Sequence, residues 1–390
     1  MKSPGLVMLP SVPVWRDGQR LTFDRKFYDG MLLQVKCWPG EIRCAMSAGN
    51  SEPPSFGLVS KSPDELPFQC VVRQDKESIT GAHLDGAAVV LGAGDMFDQF
   101  HVARLCQANG AACIYAIEYT LETRYQIAAM STNNPVVKLR RYFFLWNGER
   151  KRRAAFALAD GLQINGTAAY EQYGHFNKPL LYFDTRVQTD VILSDDQLEG
   201  RLQQLGKGGP LRLAFSGRLV RMKGADHLVE LARRLKQRNV DFRMTIYGAG
   251  DLDAELEGFV ERHGLRDVVD LPGSVDFYER LLPEIKQDVD VFVMLHRQSD
   301  PSCTYLETLS CGVPIVGYTN RAFAGLLELA DVGWGAEMDD IEAVADIIQR
   351  LAARREEIAN KSQTAVQFAR LHDFETTFQK RMDHLASFVK

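Results

Sequence analysis

The sequence has no apolar stretch approaching the ~18–20 residues that a membrane-spanning helix requires. It has no C-x-x-C pair: seven cysteines, at 37, 44, 70, 106, 113, 303 and 311, are odd in number and scattered. That argues for a reducing cytosol and against a disulfide framework or a zinc site. Basic residues are not in excess; 46 Lys and Arg against 51 Asp and Glu leave a net charge of −5, which disfavours bulk nucleic-acid binding. Low-complexity blocks and internal repeats are missing, so a disordered or solenoid chain is not expected. No D-x-D is placed to hold a diphosphate through a metal. Asp251-Leu252-Asp253 has the letters, but it opens a helix after the Gly248–Gly250 turn and reads as a cap. The opening residues, Met1 to Pro10, offer too short an apolar stretch for a signal peptide and read as a first buried strand.

What is present is the composition of a soluble globular protein, 45% hydrophobic and 25% charged. At 390 residues the chain suits two domains rather than one core. Strand-like runs alternate with helical ones, which predicts a doubly wound parallel α/β plan. The first half places strands at 6–9, 41–46, 87–91, 112–117 and 161–164, with helices over 24–38, 96–109 and 136–158. The second half places them at 211–215, 243–247, 268–271, 289–294 and 313–316. Asp17-Gly18 falls in the loop expected after the first strand. Glycines 200, 206, 208 and 209 with Pro210 mark a boundary, giving domains of 1–200 and 201–372. A last amphipathic helix over 373–390 carries Phe378, Met382, Leu385 and Phe388 on one side.

Two segments about ninety residues apart carry the chemistry, Ser216 to Gly224 and Asp300 to Pro314. The first delivers Arg218 and Lys223 where a strand gives way to a helix. The second sets a small-residue loop before a helix that bears Glu307 and stops at Gly312-Val313-Pro314. Two cations near a helix N-terminus suit a diphosphate, and a carboxylate one turn along can grip a ribose diol. The pattern suggests a nucleotide-sugar site. Arg218 and Lys223 could also be surface cations of an ordinary turn, and Glu307 a charge at the dipole end of its helix.

These residues resemble the donor-site signature of the retaining glycosyltransferases of family 4, which have the GT-B fold. The family pattern, G-R-L-x-x-x-K-G and then an acid, seven residues and Glu before a helix ending in C/A-G-x-P, is matched by Arg218, Lys223, Glu307, Gly312 and Pro314. Gly248 and Gly250, and Gly273, stand where the family has its glycine loops after strands. The likeness covers roughly residues 205–390 well and the first half only in outline. One position departs: eight before Glu307 stands Ser299, and the nearest acid is Asp300.

The resemblance implies two Rossmann-like domains facing a cleft, an N-terminal acceptor domain and a C-terminal donor domain, with the last helix crossing back onto the N-terminal domain. It implies Arg218 and Lys223 on the leaving diphosphate and Glu307 on the ribose. Backbone N–H groups of Ser302, Cys303, Thr304 and Tyr305 would face the diphosphate, with Gly248 and Gly273 shaping the site. Asp300 either meets donor-sugar hydroxyls or caps a turn, and His296 either contacts the ligand or packs. In the first domain Glu118 is a catalytic positioning candidate or an ordinary strand-end carboxylate. No cofactor or metal is implied, only a UDP- or GDP-linked hexose donor. The expected activity is transfer with retention to a glycan or lipid-linked acceptor in polysaccharide or glycoconjugate biosynthesis, in the cytoplasm. A sugar-nucleotide epimerase on the same fold, or a non-catalytic sugar-nucleotide-binding subunit suggested by Ser299, are the other readings.

Seven cations, Lys138, Arg140, Arg141, Arg150, Lys151, Arg152 and Arg153, are interleaved with Tyr142, Phe143, Phe144 and Trp146. They are either a face for anionic lipid at the inner membrane surface or a solvated helix whose aromatics are core.

Overall fold

A computed structural model of the chain describes residues 4–54, 57–74, 77–132 and 134–389. The chain divides into two compact units, Met1–Tyr182 with Glu375–Lys390, and Phe183–Phe374.

The strands of the first unit are β1 (Gly5–Leu9), β2 (Trp15–Asp17), β3 (Arg20–Asp24), β4 (Ile42–Ser47), β5 (Leu58–Lys61), β6 (Gln69–Arg73), β7 (Ala87–Ala93), β8 (Ala112–Ile117), β9 (Gly161–Asn165) and β10 (Pro179–Tyr182). Seven of them form a sheet in the order β10-β9-β8-β7-β1-β4-β6, and every pairing in it is parallel. Parallel strands are covered on both faces and so read as continuous apolar runs. In β1, Leu6 and Met8 enter one buried cluster while Val7 and Leu9 enter the other. The period of two thus feeds two cores. Helices α1 (Arg25–Cys37), α2 (Val102–Asn109), α3 (Leu121–Met130), α4 (Pro135–Leu158) and α5 (Thr167–Tyr173) complete this part. The long α4 begins where Asn134 accepts from the N–H groups of Val136 and Val137 and Pro135 fixes the first turn. Asp17 does not lie in an open loop. It ends β2, and the antiparallel sheet β2-β3-β5 is a feature that alternating βα patterning does not anticipate.

The second unit holds α6 (Asp195–Gly206), α7 (Ala225–Gln237), α8 (Asp253–Arg262), α9 (Leu282–Asp288), α10 (Thr304–Ser310), α11 (Arg321–Leu329), α12 (Ile341–Ala353) and α13 (Arg355–Leu371). Its strands are β11 (Leu211–Ser216), β12 (Phe242–Tyr247), β13 (Val269–Gly273), β14 (Val291–Met294), β15 (Ile315–Tyr318) and β16 (Gly333–Ala336). The sheet order is β13-β12-β11-β14-β15-β16, parallel throughout. The chain runs outward from β11 in one direction and returns to β14 to run in the other, so the topological switch point lies between those two strands. The glycine-bearing stretch after residue 195 is mostly α6, capped by Ser194 and Gln197 and belonging to the second unit.

The last helix, α14 (Phe374–Ala386), joins the first unit with the residues that follow it. Met382, Leu385 and Phe388 enter the cluster that includes Leu6, Met31 and Ile114. Its backbone is tied as well, because the Gln163 amide donates to the Arg381 carbonyl at 2.8 Å and accepts from Arg381 Nε at 2.9 Å.

Candidate functional site

Open parallel sheets bind ligands beyond the carboxyl ends of their strands, at the switch point. In the second unit that edge is built by the segments after β11 and β14, the two that carry the sequence signature. After β11 the chain turns through Gly217 and Arg218 and forms a short 3₁₀ turn, Arg221–Lys223, before α7. Gly224 has φ of 70°, and a Cβ there would overlap the carbonyl oxygen of Leu295. Only glycine lets the β11 and β14 loops approach this closely. Gly248, with φ of 124°, allows the same approach to the Gly217 carbonyl.

The result brings Lys223 to Asp300. Its Nζ lies 2.9 Å from Asp300 Oδ2, and Lys223 is 9% exposed. Asp300 Oδ1 is buried with no hydrogen-bond partner among the described residues. Arg218 is exposed. Neighbouring Arg221 pairs with Asp226 and Glu255, away from these groups. His296 ends the β14 segment 1% exposed, with Phe215 and Tyr305 rings beside it. Neither ring nitrogen has a hydrogen-bond partner among the described residues. Burial, and then the Lys223 cation, hold its pKa well below the ordinary 6.5, so the ring is neutral.

Ser299 has a defined task in this loop. Its hydroxyl accepts the Arg321 N–H at 3.1 Å, while Asn320 caps α11 and donates to the His296 carbonyl at 3.0 Å. A hydroxyl here fastens the loop to α11, and the acid stands one residue later, on Lys223. Ser302 and Tyr305 use their N–H groups inside the turn, donating to the carbonyls of Asp300 and Ser302. The Ser302 hydroxyl donates to Thr304 at 3.2 Å, and Cys303 stands at the N-cap of α10. Gly273, φ 75°, accepts the Gly248 N–H through its carbonyl at 2.9 Å.

Glu307 is 7% exposed and its Oε1 lies 2.7 Å from Arg186 Nε. The Arg186 guanidinium sits 3.5 Å above the centre of the Phe277 ring, and Tyr278 donates its hydroxyl proton to the Arg186 carbonyl at 3.1 Å. Arg186 and Phe277 were not legible in the sequence. Arg186 is 121 residues from its partner, in a segment with no motif, and only three-dimensional contact reveals it.

Glu118 belongs to the first unit and follows β8. Its side chain is exposed, and its backbone N–H donates to Asp95 Oδ2 at 2.6 Å. Asp95 is the centre of a charge network that sequence reading missed. Its Oδ1 accepts from Arg124 at 2.9 Å and from Arg152 at 2.8 Å. Arg152 is 0% exposed. It also donates to the carbonyls of Gly94 and Tyr119 and to the Tyr173 hydroxyl. The expectation that Arg152 belongs to a lipid-facing row is therefore corrected: it is a buried structural cation. Arg153 pairs with Glu149 at 2.9 Å. The other reading, with the aromatics of α4 as core, is corrected in turn for Phe143, Phe144 and Trp146, which are exposed. Among the described residues no helix is long and apolar enough to cross a membrane.

Two Rossmann-like units, each a parallel sheet flanked by helices, with glycine-lined loops at the second unit's switch point, define the α/β class called GT-B. Comparison with known proteins agrees. Over 98% of this chain and 99% of the other, the structure resembles Anabaena HepE crystallised with UDP, with a TM-score of 0.63 at 14% identity. It resembles WaaG, a glycosyltransferase involved in lipopolysaccharide biosynthesis, over 97% and 99%, with a TM-score of 0.60 at 14% identity. At such identities the likeness establishes the fold. Residues 199–368 match the family model "Glycosyl transferases group 1". The chain is 31% identical over 156 residues to a putative colanic acid biosynthesis glycosyltransferase, WcaL, of Escherichia coli K12, covering 37% of this chain and 36% of that one. It is 30% identical over 155 residues to the amylovoran biosynthesis glycosyltransferase AmsK of Erwinia amylovora, again 37% and 36%. The match thus spans about a third of the length of these curated relatives.

Proposed function

We propose that this protein is a retaining, metal-independent glycosyltransferase that moves a hexose from a UDP- or GDP-sugar to a glycan or lipid-linked glycan in polysaccharide biosynthesis. The observation that carries the reading is the meeting of Lys223 and Asp300, from the segments after β11 and β14, at the switch point of a parallel sheet. The family match to residues 199–368 and the polysaccharide-biosynthesis relatives support it.

In this reading the diphosphate that leaves as the glycosidic bond breaks is met by Arg218 and Lys223. Fixed cations stabilise the developing charge without reorganising. Lys223 is held in place by Asp300 until the donor arrives. Asp300 Oδ1, buried without a partner, is the acceptor left for a donor-sugar hydroxyl. Glu307 exchanges Arg186 for the ribose hydroxyls. The departing phosphate takes the acceptor proton on the face it leaves, which keeps the anomeric configuration, and Glu118 positions the acceptor. Beyond the nucleotide sugar no cofactor is needed. The same reading puts the enzyme in the cytoplasm, against the inner face of the membrane. Lys138, Arg140, Arg141, Arg150 and Lys151 are set among exposed Val136, Leu139, Phe143, Phe144 and Trp146 of α4, an amphipathic basic face suited to anionic lipid.

The test is to incubate the protein with UDP- and GDP-hexoses and short glycan acceptors in EDTA, and to assign the new linkage by NMR. Transfer with the donor's anomeric configuration is expected. An inverted product, or activity that returns only with magnesium or manganese, would overturn the mechanism.

A further inference from the structure

A cavity lies wholly within the first unit, at the carboxyl edge of its sheet. Its volume is about 590 Å³, inside the ~300–1,000 Å³ usual for small-molecule sites. It is bounded by the segments after β7 and β8 and by α3 and α4, and its lining is mainly apolar: Met96, Phe97, Ile117, Ile127, Phe144 and Leu145.

One nearly buried cation is set into this apolar room. Arg124 lines the cavity and is 8% exposed. Its Nη2 donates to the Asp95 carbonyl and carboxylate at 2.8 and 2.9 Å. No described residue accepts from its Nε or Nη1, and the guanidinium lies 5.4 Å from the centre of the Phe97 ring. Asp95 cannot neutralise Arg124 alone, because the same Oδ1 serves Arg152 and Oδ2 serves the Glu118 N–H. Burial and the Arg152 charge lower the Arg124 pKa, the signature of a cation short of negative charge. Arg141, on α4 and bonded to the Ser131 hydroxyl, adds a second guanidinium to the lining. Glu118 is the one opposing lining charge besides Asp95, and it is exposed. Glu149, behind the wall, is taken by Arg153 and Arg152.

Guanidinium donors left over in an apolar, partly closed space fit an anion with an apolar body. Phosphate and diphosphate match the planar fork best. We propose that this cavity binds the phosphate-bearing end of a lipid carrier, with a phosphate or diphosphate on Arg124 and Arg141 and the adjoining isoprenoid carbons against Phe97, Ile127 and Phe144. The inference rests on the transferase reading and deepens it, because it makes the acceptor a sugar joined through phosphate to such a chain. The exposed apolar and basic residues of α4 then continue from the site along the same helix.

Calorimetry of the full chain with farnesyl diphosphate, inorganic pyrophosphate and farnesol tests this, with UDP binding measured on the same preparations. Farnesyl diphosphate is expected to bind, and either half alone at least about tenfold more weakly. Arg141→Gln and Ile127→Glu, both at exposed positions, should each weaken farnesyl diphosphate by about tenfold and leave UDP binding unchanged. Pyrophosphate binding as tightly as its farnesyl ester, or both variants behaving as wild type, overturns the proposal. So does equal affinity for short-chain phosphatidylglycerol, which would assign the cavity to a bilayer lipid. Because UDP is followed separately, a loss of UDP binding indicts the donor-site reading, whereas failure of farnesyl diphosphate alone indicts this one.

Discussion

Arg218 and Lys223 share a motif but stand in different surroundings. Arg218 is exposed, whereas Lys223 is nearly buried and already holds a carboxylate. Replacing either by alanine should lower kcat/KM by roughly 10²-fold, the effect of losing ~3 kcal/mol of fixed transition-state contact. Lys223→Ala should also destabilise the unit, because it strands Asp300 with two unpaired oxygens, while Arg218→Ala should not. Steady-state kinetics with denaturation curves for both variants separate the two effects; near-normal kcat/KM in both would remove the diphosphate assignment. His296 gives a different test. Its folded-state pKa lies below the unfolded value of 6.5, so the unfolded chain binds the extra proton. Its contribution is therefore fully present above about pH 6.5 and is lost as pH falls, at up to ~1.4 kcal/mol per pH unit, until the folded-state value is reached. His296→Phe should flatten the fall in stability between pH 7 and 5. Urea midpoints across that window check it, and equal slopes for variant and wild type would mean that His296 charges freely in the native state.

At the scale of elements, most strands of the two parallel sheets were legible because a sheet covered on two faces needs short, unbroken apolar runs, as in Leu211–Phe215 and Val291–Met294, whereas the edge strands β6, β10 and β16 were not. The close approach of the loops after β11 and β12 to their neighbours explains two of the motif glycines, since Gly224 and Gly248 fill positions that a Cβ would clash in. The β2-β3-β5 sheet was not legible, because strands of three to five residues with exposed, charged positions carry no run to detect. Helix α4 was legible in extent but not in orientation. Its seven cations look alike in sequence, yet Arg152 faces Asp95 and Tyr173 while Arg150 lies over the Trp146 ring. That division can be measured. Arg152→Met removes the fully buried cation shared by Asp95 and Glu149, leaving them only Arg124 and Arg153, and should cost ~3 kcal/mol. Thermal and urea unfolding should show a loss of this order, and a change under about 1 kcal/mol would mean the network carries little.

At the scale of the whole molecule, an acidic chain carries a basic, aromatic helix whose outward face is apolar, with Phe143 67% exposed. Each cation near an anionic surface contributes about 1 kcal/mol, screened over a Debye length. Flotation with anionic liposomes should therefore show salt-sensitive binding. Replacing Lys138, Arg140, Arg150 and Lys151 together by Gln should reduce it, leaving transfer to a soluble acceptor unchanged. Binding indifferent to these changes, or none at low salt, would leave α4 as a solvated helix face.

The return of α14 to the first unit has a consequence in time. During synthesis the residues after 374 leave the ribosome after the whole of the second unit, yet Met382, Leu385 and Phe388 cover apolar surface of the first. The sheet that is made first must therefore wait, with part of one face uncovered, for the segment that is made later. The second unit, one continuous stretch of chain, is free to close in the meantime. The interval between the two is when the nascent protein is most open to a holding chaperone, and slowing translation within residues 183–374 would lengthen that exposure.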